Sequence, residues 1–292
     1  WSSWTASLLG GEIMKVIKTV KLFIGGEFPR TESGRSYSFN KKGTEEQYAR
    51  LCQASRKDFS NSVENSRKSQ PGWAGKTAFL RSQILYRMAE MTEGKRVEFV
   101  DLFKNALGES ESVANKMVDE AIDTFVYYSG FCDKYQQVMG AVNPVSGPFH
   151  NFTTPEATGV VTLIEADEFN FAKLIDNICA ILVGGNSVVA ILGKGCPAVL
   201  APLAEVFKTS DLPGGVVNLL TGDLDEIKGF IGNHMEVRAI SFQNEREDVY
   251  HELRTAAIDN MKRMVPRKDK QRSLDLILDF VEAKTVWHPI GI

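Results

Sequence analysis

Apolar and polar positions along the chain follow two rhythms. In the second half, the runs at 160–164, 187–192, 216–220 and 238–242 are short, apolar and rich in β-branched residues, and each is followed by a segment of helix length. Strands alternating with helices predict βαβ units on a parallel sheet of the doubly wound α/β type. That is a nucleotide-binding architecture, although architecture alone does not establish a function. The first half turns helical after two expected strands, one at 21–28 around a Gly25-Gly26 turn and one at 46–53. Ser55 and Asp58 have the spacing of a capped helix start, Phe59, Val63 and Ser66 line the helix, and Pro71-Gly72 is expected to close it. Further helices are expected at 77–91, 95–107 and 112–135. The aromatic residues Phe125, Tyr127, Tyr128 and Phe131 of the last one read as core packing at helical spacing rather than as a ligand cage.

Two stretches depart from these rhythms. From Gly140 to Thr158 the composition shifts to Pro, Gly, Asn and Thr with alternating apolar residues, which predicts a loop or extended hairpin projecting from the body. A smooth helix is expected over 247–263. Beyond Asn260, Lys262, Arg263, Arg267, Lys268, Lys270 and Arg272 crowd around Pro266 with only Asp269 to oppose them, and a solvated basic linker is the reading over 264–277. The partial alternation from Phe280 to Trp287 predicts a strand in search of a sheet.

Composition narrows the partners. With 292 residues, 43% of them hydrophobic and 24% charged, the chain can build one large core or two small ones. A net charge of −3 gives no global basic field, so no nucleic-acid or membrane partner is expected, and protein or small-molecule partners are. The apolar stretch from Ile175 to Ala190 is broken by Asp176, Asn177, Gly184, Gly185 and Asn186, too soon for a membrane span. Cys52, Cys132, Cys179 and Cys196 are widely spaced and form no Cys-x-x-Cys pair, which suggests reduced thiols and an intracellular, cytoplasmic setting. The weakly basic segment from Trp1 to Val20 leaves an organelle-matrix address or an expression remnant as the alternative.

Isolated motifs carry little chemistry. Gly75-Lys76-Thr77 has the end of a phosphate-binding loop, but the first glycine of that motif would fall on Gln70 and no strand precedes it. Gly193-Lys194-Gly195-Cys196 could be a glycine loop with a thiol, yet free cysteine is more often a small buried residue, and activation needs a base nearby. His150, His234, His251 and His288 show no metal spacing, and no metal is expected.

Several stretches, in order, resemble the aldehyde dehydrogenase family. They are Leu22-Phe23-Ile24-Gly25-Gly26-Glu27-Phe28, Gln70-Pro71-Gly72-Trp73-Ala74 and Tyr127-Tyr128-Ser129-Gly130-Phe131 with Asp133-Lys134-Tyr135. Next come Glu156-Ala157-Thr158-Gly159-Val160-Val161, Gly185-Asn186-Ser187-Val188-Val189 and Leu212-Pro213-Gly214-Gly215-Val216-Val217-Asn218. Phe280-Val281-Glu282-Ala283-Lys284-Thr285-Val286-Trp287 resembles the family's C-terminal strand. The resemblance implies a Rossmann-like nucleotide-binding domain over 21–139 and 159–263, with oligomerisation arms at 140–158 and 278–292. It leaves no room for the domain that carries the nucleophilic cysteine.

That chemistry needs a thiolate nucleophile, a general base and an oxyanion donor. Neither the family's Gly-Gln-x-Cys nor its Glu-Leu-Gly-Gly motif occurs here, so no catalytic residue is assigned. By gapless count back from Gly185-Asn186, the oxyanion asparagine falls on Glu168, with Asn170 two positions on. The ribose-binding lysine corresponds to Ile191 and the acid after it to Lys194, while the helix glycines fall on Leu224 and Lys228. Gly222 matches, and with Ile164 at the end of the first nucleotide-fold strand it marks the vestigial cofactor site. Phe242-Gln243-Asn244-Glu245 replaces the pyrophosphate turn and puts a negative charge where phosphate would sit. Weak or absent NAD binding is therefore expected.

The function expected from the resemblance is that of a catalytically inactive subunit, a homo-oligomer or a hetero-oligomer with a full-length aldehyde dehydrogenase. It should either expose an apolar patch where the missing domain would lie or cover that face in another way. Two alternatives stand beside it: an NAD-binding oxidoreductase subunit that borrows a nucleophile from a partner, and an internally deleted product of a longer gene.

Overall fold

The computed structural model describes residues 17–267, 269 and 272–291. The expectation for the N-terminal address lies largely outside these residues. Near the start, β1 (Thr19–Val20), β2 (Ser36–Asn40) and β3 (Gln47–Cys52) form a small sheet in the order β1-β3-β2. Between β1 and β2 the chain makes a tight hairpin. Ile24 bridges Glu27 across Gly25 and Gly26, both at positive φ, 63° and 83°, which glycine alone adopts without strain.

A helical layer follows: α1 (Arg56–Ala74), α2 (Ala78–Gly94), α3 (Arg96–Leu107), α4 (Glu111–Ser129) and α5 (Tyr135–Met139). The expected start of α1 is present as a full capping box. Ser55 Oγ accepts from Asp58 N–H, and the Asp58 carboxylate accepts from Ser55 N–H. Its expected end is wrong, because the helix runs through Pro71 to Ala74. The reason is tertiary: Trp73 is fully buried and its indole N–H donates to the Leu182 carbonyl at 2.9 Å, which holds the last turn in place. The helix expected over 112–135 is also divided, α4 ending at Ser129 before a turn leads into α5.

The hairpin of β4 (Ala141–Asn143) and β5 (Phe149–Ala157) leads into the central sheet. Its five parallel strands are β6 (Val160–Ile164), β7 (Ser187–Ile191), β8 (Val217–Leu220), β9 (Val237–Phe242) and β10 (Arg263–Pro266), in the order β10-β9-β6-β7-β8. They alternate with α6 (Phe171–Val183), α7 (Leu200–Thr209), α8 (Leu224–Asn233) and α9 (Glu247–Ile258). This is the doubly wound α/β fold. Successive side chains of a strand point to opposite faces, so Val161, Leu163, Val188 and Ala190 join a core with α6 and α7. Val160, Ile164, Val189 and Ile191 join a second core with α1, α8 and α9. Burial on both sides is why these strands read as unbroken apolar runs. The outer edge of β8 is closed by the N-terminal hairpin, where Phe23 and Leu219 exchange two backbone hydrogen bonds.

The segment after α9 differs most from expectation. The smooth helix over 247–263 stops at Ile258, Met261 takes a φ of 54°, and 263–266 pairs in register with β9 as a fifth strand. The stretch expected as a solvated linker therefore carries β10 and the short helix α10 (Leu274–Leu278). Three of the described basic residues around Pro266 are bonded across the fold. Arg263 donates to the Asp279 and Val281 carbonyls and to Glu282, Arg267 pairs with Glu245, and Arg272 pairs with Asp123. Leu276, Ile277 and Phe280 are buried, and α10 packs on α6, so the chain covers this flank of α6 itself. The last strand, β11 (Val281–Pro289), lies antiparallel on β5 from Val281 opposite Ala157 to Pro289 opposite Phe149, giving a separate sheet in the order β11-β5-β4.

Candidate functional site

In an open α/β sheet, ligands settle outside the carboxyl ends of the strands, where the strand order reverses. Here that point lies between β6 and β9. The sequence-matched residues Ile164 and Gly222 do come together there, on either side of a narrow cleft that also meets Ile191, Leu224 and Asn244. The cleft measures about 20 Å³, whereas pockets for small ligands run from roughly 300 Å³ upward.

The closure has a physical cause in three loops. The backbone at Gly193 lies so near the Ala166 carbonyl that a Cβ there would collide with it, and Gly195 lies equally close to the carbonyl of Asp167. Lys194 N–H donates to Asp167 Oδ1 at 2.9 Å, Asp167 N–H donates to Glu245 Oε2 at 3.0 Å, and Asn244 Nδ2 donates to the Glu165 carbonyl at 3.1 Å. Glu245 thus receives a backbone amide in place of a phosphate. On its other side Gly222 borders an open groove of about 390 Å³ with Tyr37, Phe39, Lys194 and Asp223.

Glu165, directly after β6, was not singled out by sequence reasoning. The residue is 7% exposed, Oε2 accepts from Gly193 N–H at 2.9 Å, and Oε1 has no partner among the described residues. Burial pushes its carboxyl up to about 8, and the nearby carboxylates of Asp167 and Glu245 add to the effect, so it is mostly neutral at pH 7. The only signal in the sequence is an acid placed right behind an apolar strand. Gln243, also buried, follows β9 in the equivalent place.

The remaining candidates fall as follows. Glu168, at the oxyanion position, is exposed, and Asn170 two residues on accepts Lys173 N–H at 2.9 Å as the cap of α6. All four cysteines are buried. Burial pushes the Cys132 thiol up to about 12 and raises those of Cys179 and Cys196 well above the usual thiol range. Among the described residues no His, Cys, Asp and Glu cluster could hold a metal, and no helix is long and apolar enough to cross a membrane.

A family model described as the aldehyde dehydrogenase family matches residues 29–266. The putative aldehyde dehydrogenase DhaS of Bacillus subtilis is 28% identical over 249 residues, covering 84% of this chain and 50% of that protein. Aldehyde dehydrogenase, cytosolic 1, of Elephantulus edwardii is 29% identical, covering 85% and 50%. Among solved structures, an NAD+ complex of an aldehyde dehydrogenase from Bacillus cereus superposes with a TM-score of 0.80 at 25% identity, over 85% of this chain and 50% of that one. The chain therefore spans about half the length of the relatives it matches.

Proposed function

Because the chain belongs to the aldehyde dehydrogenase family, we propose that it acts as a non-catalytic member, a subunit that assembles with itself or with a full-length aldehyde dehydrogenase. The observation that carries this reading is internal to the chain. Strand β10 ends at Pro266 and α10 begins at Leu274, so only the residues 267–273 separate the nucleotide-type sheet from the covering helix and the end strand. A domain bearing nucleophile and base has no place in that interval. The four thiols are all buried, where substrate has no approach, and burial disfavours ionisation of Cys132, Cys179 and Cys196.

Assembly is supported by the β11-β5-β4 sheet. Among the described residues no strand pairs with the outer edge of β11, and Trp287 (58% exposed) and Val142 (72% exposed) stand on this sheet in solvent. An exposed edge of this kind invites strand pairing. Loss of NAD binding is supported by the cleft of about 20 Å³ and by Glu245 at the phosphate position.

Native mass spectrometry with and without NAD, together with an NADH-absorbance assay on simple aldehydes, tests the proposal. We expect an oligomer or a complex with a full-length relative, no NAD mass on this subunit and no turnover. Monomers alone would remove the assembly part. NAD on each chain with aldehyde turnover would overturn the whole reading.

A further inference from the structure

Beside the closed cleft lies a separate cavity of about 200 Å³, bounded by the ends of β6 and β9, the first turns of α6 and Arg267. Glu165 and Gln243 line it, are 7% and 4% exposed, and each holds one side-chain oxygen with no hydrogen-bond partner among the described residues. Gln243 Nε2 donates to Ser241 Oγ at 3.0 Å, which leaves the amide oxygen as its unpaired end. The Gln243 amide oxygen calls for a donor, whereas the neutral Glu165 carboxyl, whose Oε2 already accepts from Gly193 N–H, calls for an acceptor at Oε1. The other walls likewise call for an acceptor. The N-terminal end of α6, thirteen residues long, carries the positive pole of a helix. Arg267 adds a guanidinium with five donors, of which Nη1 is placed on Glu245 at 3.1 Å. Lys173, Glu168 and Asp269 also line the cavity, so two cations stand among acidic groups, its charges are mixed and a multiply charged phosphate is disfavoured.

We propose that this cavity binds a short carboxylic acid with a hydroxyl or ammonium on the adjacent carbon. The carboxylate lies toward Arg267, the α6 end and the protonated Oε1 of Glu165, and the neighbouring donor lies toward Gln243 Oε1. Such a ligand supplies the missing donor and the missing anion together. The neutral form of Glu165 suits this arrangement, since an ionised carboxylate would repel the ligand's own. The proposal rests on the closed-cleft reading only in treating the cavity as a site of its own.

Isothermal titration of the full chain with L-lactate and L-alanine tests it, with propionate as the control that lacks the donor and NAD titrated separately. We expect a dissociation constant on the order of 1 mM for at least one of the two acids. Propionate should bind about tenfold more weakly, and Gln243→Leu should lose about tenfold for the favoured acid while melting no lower than the parent. Absence of binding to the parent chain at several tens of millimolar, or equal binding of propionate, overturns the proposal. Acid binding accompanied by NAD binding would sink only the closed-cleft reading, whereas NAD binding without acid binding would sink both.

Discussion

Replacing Glu165 by glutamine should make the protein more stable at neutral pH, although it alters a fully buried side chain that accepts a backbone hydrogen bond. Burial raises the Glu165 carboxyl from its ordinary 4.5 to about 8. The folded state then holds a proton that the unfolded chain has released, so stability is fully present below pH 4.5 and falls as pH rises toward 8. Each pH unit in that window costs about 1.4 kcal/mol. At pH 7 the buried carboxyl therefore costs the fold about 3 kcal/mol. Glutamine has the same shape and keeps an oxygen for Gly193 N–H, but it has no proton to lose. Its new amide hydrogens have no obvious acceptor, which offsets about 1 kcal/mol of the gain. Glu165→Gln should thus be slightly less stable than the parent at pH 4.5 and about 2 kcal/mol more stable at pH 7. The assay is urea unfolding of both proteins at five pH values from 4.5 to 8.5, read as the difference in free energy. Parallel pH dependences, or a mutant less stable at pH 8, would refute the argument. Either result would mean that Glu165 is ionised in the fold and that the loops around it are not closed.

Two more changes test the structural argument. Trp73→Phe removes the indole donor to the Leu182 carbonyl and leaves a small cavity at the end of α1, and should cost about 2–3 kcal/mol in a urea titration; a loss below about 0.5 kcal/mol would show that the turn after Pro71 is held by something else. Trp287→Glu places a charge on the exposed face of β11 and should shift the assembly toward smaller species in sedimentation velocity while leaving the melting temperature of the subunit within a few degrees; an unchanged assembly would rule out this face as the contact.

The parts of the fold that were legible in advance share one property, that local physics and burial agree. Apart from exposed Arg238, the strands β6 to β9 are buried on both faces, so each is a largely apolar run. The Ser55 to Asp58 capping box and the Gly25-Gly26 turn are short-range geometries that neighbouring residues complete among themselves. The resemblance located the end strand, and β11 does pair along its whole length with β5. Strand β2 was missed because it is half exposed and has no clean alternation. Strand β10 was missed because Arg263, Met264 and Pro266 look like a loop, and only Val265 is buried.

The candidate site divides in the same way. From residue identity and the family resemblance one could expect that Ile191, Lys194 and Glu245 depart from what a dinucleotide needs, that Glu168 departs from the oxyanion asparagine, and that Ile164 and Gly222 mark a remnant of the cofactor site. Which chemical group stands at each of these positions is a matter of sequence alone. That the cleft is shut, that Glu165 is neutral, that Gln243 has an oxygen without a partner and that α10 covers α6 were decided only in three dimensions. Each depends on two or more segments far apart in the chain meeting at a fixed distance: 165–170 with 193–195 and 243–245, and 274–280 with α6. Desolvation and hydrogen-bond satisfaction are properties of that meeting, because a side chain's surroundings set its charge and its partners, and in a folded chain most of those surroundings come from elsewhere in the sequence.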